Sequence, residues 1–267
     1  MIERTGRTVD RVEYARTAGG IRLAYEVAGA GDPPLVFVHG WCGDRGSFAP
    51  QLAHFARRHA VAALDLRGHG ASDRPEPDDG TYDVPAFADD VLAVAAAAGF
   101  VRPVVVGHSL GGLVALACAA RPGAVRAAVL VDPAPVRNER AKGYFARSAP
   151  EVAVDADASW RTAFAERLFL ATDTAARDEV LAGMGRVPPA VAAAAMRGMA
   201  EFDGGSALDA ASVPLLILHA DTVERGLRDG RPYVTTGQTV GAGHFAHREV
   251  PDQVNAMIER FLAVRLG

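Results

Sequence analysis

Residues 104–115 read Val-Val-Val-Gly-His-Ser-Leu-Gly-Gly-Leu-Val-Ala. A short apolar run, a G-x-S-x-G pentad centred on Ser109 and an alanine-rich stretch follow without a break, which is the strand-turn-helix context of a nucleophile elbow. Its glycines have a steric purpose. The turn is so tight that side chains at Gly107 and Gly111 would collide, and the strained serine is thrust out at the sheet edge. A helix beginning after Ser109 aims its positive end at the same point, which favours a developing anion. The plainer alternative is a Gly-rich turn that happens to contain serine, and it leaves the flanks without a role.

Outward from the elbow, short apolar runs recur at 35–38, 61–64, 127–131 and 214–218, consistent with strands buried on both faces. Helical stretches at 48–58, 84–98 and 113–120 separate the first of them. That alternation predicts right-handed βαβ units and a mostly parallel sheet flanked by helices. Ahead of it, 12–17 and 21–27 flank the turn Ala18-Gly19-Gly20 and read as an antiparallel hairpin. After Asp132 the alternation breaks, and residues 133–212 turn helical before strand signals resume at Val213. Loops of that length without structure are rare, so the segment is expected to be a helical cap inserted after the sixth strand, on a core of 1–132 and 213–267. An insertion that leaves the active-site edge must return to it, which makes Trp160 and Phe164 candidates for lining the cavity and touching substrate.

Composition narrows the function classes. With 28 Lys and Arg against 32 Asp and Glu the net charge is -4, so the basic footprint of a nucleic-acid binder is missing. No run approaches the apolar length of a membrane span, and the first residues carry no apolar leader segment. Two cysteines, Cys42 and Cys118, cannot form a disulfide framework, and neither has paired metal-ligand spacing around it. The expected setting is a reduced cytoplasm, with a small-molecule substrate as partner, and a homodimer stays open.

A serine at its free pKa needs a base. His244 lies in Gly241-Ala242-Gly243-His244-Phe245, between a strand-like stretch at 233–240 and a terminal helix at 252–262, so it occupies a loop after a last strand. Such loops are where parallel sheets place their sites. His247, three residues on, is its competitor. His39, His69, His108 and His219 stand near strand ends and read as turn packing.

The elbow, the His39-Gly40-Trp41 turn, the stretch Asp65-Leu66-Arg67-Gly68-His69-Gly70-Ala71-Ser72 and the closing Gly243-His244-Phe245 together resemble the α/β-hydrolase family, in its capped subgroup of esterases, lactonases, epoxide hydrolases and dehalogenases. Serine rather than aspartate at the elbow points away from the last two branches. The resemblance implies an oxyanion hole made by the backbone N–H groups of Trp41 and Leu110, with the Trp41 indole a candidate wall of the acyl pocket. Cys42 reads as a small buried residue. The family order of nucleophile, acid and histidine leaves the acid to be found. Many relatives carry it after the seventh strand, but the matching register here holds Val223, with Asp221 and Glu224 nearby and off register. A second family solution puts it after the sixth strand, where Asp132 stands.

Geometry favours Asp132 independently. A helix over 110–121 runs about 18 Å away from the site at 1.5 Å per residue, and a strand over 125–131 returns about 23 Å. Asp132 then ends at the edge that holds Ser109. An Asp-Pro step is also an ordinary turn initiator, so Asp221 and Glu224 stay open as the acid. The expectation is a serine esterase or lactonase that needs no cofactor or metal, acting on a largely apolar substrate of moderate size. Two rivals are a cofactor-independent dioxygenase of the same fold and a non-catalytic ligand receptor on it.

Overall fold

The computed structural model describes residues 12–170, 175–221 and 230–267. Eight strands form one sheet: β1 (Glu13–Arg16), β2 (Arg22–Ala28), β3 (Leu35–Val38), β4 (Val61–Leu64), β5 (Val104–His108), β6 (Ala127–Val131), β7 (Leu215–His219) and β8 (Val234–Gln238). Their spatial order is β1-β2-β4-β3-β5-β6-β7-β8. The β1–β2 and β2–β4 pairings are antiparallel and the others parallel.

Alternation along the strands assigns the two faces. Leu35 and Phe37 pack with Phe48, Leu52, Phe55, Ile258 and Phe261, the apolar sides of α1 (Ala49–Phe55) and of the terminal helix. Val36 and Val38 pack instead with α2 (Val84–Ala97) and α3 (Leu110–Ala119). Both faces are therefore covered, as a parallel sheet requires. All ten residues of α3 are buried, which explains a helix with no polar side. It starts at Leu110, directly after the elbow. Gly111 and Gly112 are weak helix formers, but tertiary burial outweighs their propensity.

Between β6 and β7 lie α4 (Glu139–Ala153), α5 (Ser159–Glu166), α6 (Ala175–Gly183), α7 (Pro189–Glu201) and α8 (Gly204–Ala210). The α4 and α5 end of this segment is organised on a buried charge pair. Arg161 Nε meets Asp155 Oδ2 at 2.8 Å, and the guanidinium also donates to the carbonyls of Val187 and Asp155. Asp155 further accepts the Trp160 and Arg161 N–H groups, and these bonds hold its carboxyl below the usual range against the opposing effect of burial. After β8 come α9 (Ala246–Glu249) and α10 (Pro251–Arg265).

In this order the chain winds from β3 to β4 on one side and crosses to β5 on the other, so the turns after β3 and β5 face each other across a topological switch point. Among the described residues no helix is long and apolar enough to cross a membrane.

Candidate active site

Ser109 sits between β5 and α3 with φ 53° and ψ -114°, a conformation that costs a non-glycine residue about 1–3 kcal/mol. The strain is held by its surroundings. Its N–H donates to the Val131 carbonyl at 3.1 Å, and its carbonyl accepts from Gly112 at 2.9 Å and Ala134 at 3.0 Å. The glycines have the steric cause expected of them: a Cβ on Gly107 would lie 1.8 Å from the Gly111 carbonyl oxygen, and one on Gly111 would lie 2.2 Å from that of Val38.

Asp132 follows β6 in a left-handed conformation, φ 40°. Its own N–H donates to Leu218 at 2.7 Å, which fastens the end of β6 to β7. Both carboxylate oxygens are engaged. Oδ1 accepts the Ala220 N–H at 3.0 Å, and Oδ2 lies 2.6 Å from His244 Nδ1. A carboxylate only accepts, so Nδ1 of His244 carries the hydrogen and Nε2 is left with its lone pair. Of the two candidate acids among the described residues, Asp132 is the one the fold brings to His244. Asp221 is exposed and accepts the Gly241 N–H through Oδ2 at 2.9 Å. Val223 and Glu224 lie outside the described residues.

The loop carrying His244 is clasped from two sides. Glu249 accepts the N–H of Gly243 at 2.7 Å and that of Phe245 at 3.0 Å. The His244 N–H donates to the carbonyl of Leu168 at 2.9 Å, at the end of the segment that follows α5. That approach requires glycine at 243, since a Cβ there would lie 2.5 Å from the same oxygen. His247, the competing base, is buried, stacks on Phe48 at 4.6 Å and has its pKa pushed down to about 3 by burial. It takes the place of an apolar residue.

His108 does more than pack a turn. Its ring lies tilted against that of His244 at 4.6 Å and that of His247 at 4.3 Å, and Nε2 lies 2.8 Å from the His244 carbonyl oxygen. Burial drives its pKa well below the ordinary value, so it is neutral and donates that hydrogen. His39 is neutral for the same reason. It accepts the Leu66 N–H at Nε2 and donates to the Gly40 carbonyl, tying the turn after β3 to the end of β4. The Asp65 to Ser72 stretch is scaffold: Asp65 accepts from Arg45 and Ala71, and Arg67 forks onto buried Asp90.

The N–H groups of Trp41 and Leu110 donate to no acceptor among the described residues. The Trp41 indole hydrogen bonds to the Ala192 carbonyl at 2.8 Å, joining this turn to α7. Cys42 beside it is buried, and burial pushes its thiol up to about 12, too high for a thiolate nucleophile at neutral pH.

Ser109, Asp132, His244 and Trp41 open into one cavity of about 460 Å³. Phe145, Phe164, Leu168, Met184, Met196 and Met199 close it from the helical segment, which therefore lies over the sheet end that holds Ser109. Phe164 reaches the cavity as expected. Trp160 does not: it stacks behind Phe164 at 5.4 Å, with its indole N–H on Glu151. Their spacing of one helical turn puts both rings on one face of α5, and only the nearer one reaches the opening.

A family model of the α/β-hydrolase fold matches residues 33–248. A pimeloyl-[acyl-carrier protein] methyl ester esterase of Chromobacterium violaceum is 41% identical over 123 residues, which is 45% of this chain and 44% of that protein. The chain spans less than half the length of the curated relatives it matches. A thermophilic esterase from Thermogutta terrifontis superposes with a TM-score of 0.81 at 25% identity, covering 95% of this chain and 98% of that one. An enol-lactonase from Burkholderia xenovorans superposes at 0.78 over 94% of this chain and 100% of its own, at 22% identity, a likeness of fold alone. With the model match running from before β3 into α9, through the elbow and the histidine loop, the chain belongs to the α/β-hydrolase family.

Proposed function

We propose that this chain is a serine hydrolase that cleaves a carboxylic ester or lactone through an acyl-enzyme. The observation that carries the reading is the 2.6 Å contact of Asp132 with His244 Nδ1, made in the cavity that also exposes Ser109. Ser109 Oγ attacks the carbonyl carbon and its proton passes to His244 Nε2. Asp132 holds the imidazole in the required tautomer and stabilises the imidazolium. The Trp41 and Leu110 N–H groups, both without another acceptor among the described residues, receive the oxyanion. His244 then returns the proton to the leaving alkoxide, and water repeats the sequence on the acyl-enzyme. With a lactone the alcohol stays attached as the far end of the acyl chain.

The cavity's Phe and Met side chains support an apolar substrate of moderate size, since such residues adapt their shape to what they enclose. The esterase relatives support the same reaction class, and two buried free thiols are in keeping with a reduced, cytoplasmic setting. The test is hydrolysis of p-nitrophenyl acetate with and without chelator, beside Ser109→Ala and labelling by a fluorophosphonate. Turnover insensitive to chelator, abolished by Ser109→Ala and accompanied by covalent label on Ser109 is expected. Activity that survives Ser109→Ala at the wild-type rate would remove serine attack from consideration.

A further inference from the structure

A second cavity, of about 520 Å³, lies between α6 and the turn that follows β3. It shares four wall residues with the first: Trp41, His108, Met184 and Phe245. Three of these are held by directional contacts. The Trp41 indole is bonded to Ala192, His108 to the His244 carbonyl, and Phe245 lies face to face on Phe169 at 4.4 Å. Met184 is buried just past the end of α6, and its unbranched thioether has no such partner among the described residues. It is the part of the wall that can change rotamer without breaking a hydrogen bond or a ring stack.

The two chambers differ at their borders. Both have walls that are mostly apolar, with Cys42, Val180 and Ala182 contributing to the second, but the second is also bordered by glycine backbone, Ser47 and two ion pairs that join α6 and its following turn to the core. Arg186 meets Asp44 at 3.0 Å, and Arg248 meets Glu179. Each pair cancels its own charge, so Asp178 sets the sign of the remainder and an anionic group gains nothing there.

We infer that Met184 is a specificity-determining partition, and that the second chamber receives an uncharged polar extension, bearing hydroxyl or amide groups, of an ester whose scissile carbonyl lies at Ser109. This rests on the serine-hydrolase reading above. A substrate of that kind places its apolar part under α4 and α5 and its polar part past Met184.

The experiment compares two matched series by acid release in a pH-stat. One holds hexanoate esters of methanol, of a neutral oligo(ethylene glycol) and of the same glycol ending in carboxylate. The other holds methyl esters whose acyl chain is plain or extended by a hydroxyl-ended amide. The readout is the kcat/KM ratio of extended to unextended substrate within each variant. Met184→Ala is expected to raise that ratio for the neutral extension in one of the series by about 5- to 10-fold, and Met184→Phe to lower it by a similar factor. The carboxylate-ended ester stays below the neutral one throughout. Met184→Leu replaces the alanine variant if that one fails to fold. Ratios unchanged by every substitution, or a preference for the carboxylate-ended ester, would overturn the inference. If the wild-type protein cleaves none of these esters, the serine-hydrolase reading fails, and the partition is still decided by binding. The affinities of the matching non-hydrolysable ethers, followed by tryptophan fluorescence, must then shift between wild type and Met184→Ala in the same order.

Discussion

The ends of β6 and β7 lie side by side, joined by the hydrogen bond from Asp132 to Leu218, and each carries an aspartate at or just beyond the strand. Asp132 is 6% exposed, strained in φ and bonded through both oxygens; Asp221 is exposed and holds a loop by one. Residue type does not separate them, and neither does nearness to the last strand. What separates them is that the β7 end offers a backbone N–H, from Ala220, that fixes the carboxylate of its neighbour. The geometry of the proposed orienting acid at one strand end is thus a joint product of two.

The steepest way to break this comparison is to neutralise each aspartate in turn. Asp132→Asn keeps size and one acceptor but presents an amide that favours the wrong tautomer of His244, and kcat should fall by about 10⁴-fold. Asp221→Asn should stay within about threefold of wild type, the range of an exposed substitution. The double variant should match Asp132→Asn, because Asp221 is already committed to Gly241. A double variant much slower than Asp132→Asn would mean that Asp221 is recruited when Asp132 is lost.

A smaller effect tests whether the histidine loop needs its own support. His108→Phe keeps a ring against His244 but leaves the His244 carbonyl without its donor, and a displacement of the imidazole by a fraction of an ångström should cost about 10- to 100-fold in kcat. His108→Gln restores a donor and should recover part of the loss, with KM little changed. Equal losses in both variants would point to packing rather than to the hydrogen bond.

The elbow, the sheet and His244 were legible because their signals are local: a Gly pair around serine, short apolar runs, and a Gly-His loop after a final strand. Asp132 was legible only as a favoured alternative, since its decisive partners are 88 and 112 residues away in the chain. The hydrogen bond of His108 is hidden in sequence for the same reason, since its acceptor is 136 residues off. Glu249 carries no mark in sequence that it would clasp two N–H groups around His244. In α5 the periodicity places Trp160 and Phe164 on one face, but which ring meets the cavity depends on how the helix is docked.

The histidines sharpen the comparison on a milder scale. His39, His69, His108 and His247 are buried and held neutral, His69 and His247 with pKa values of about 3. In the unfolded chain each titrates near the ordinary value of about 6.5. Between those limits the unfolded state binds more protons, so stability is complete above the upper value and falls as pH drops below it, by up to about 1.4 kcal/mol per pH unit for each histidine. Urea midpoints at pH 7.5 and 5.5 should therefore differ steeply, and His247→Phe should flatten the difference by one histidine's share. A pH-independent midpoint across that interval would contradict the buried, neutral assignment.

The smallest effect lies at the exposed end. Asp221 accepts one N–H, from Gly241, in a loop where φ is 72° and the chain turns toward His244. Asp221→Ala removes that acceptor but leaves the donor open to water, so the expected loss is about 0.5–1 kcal/mol, at the low end for a hydrogen bond. For a chain of this size that corresponds to a fall in Tm of roughly 1–4 °C. Activity should persist, because Glu249 and Leu168 hold the His244 loop from its other side. The informative result would be the opposite combination. If turnover fell a hundredfold while Tm stayed at the wild-type value, Asp221 would be acting on His244 through the Gly241 turn, and the separation between the two strand ends would be one of degree.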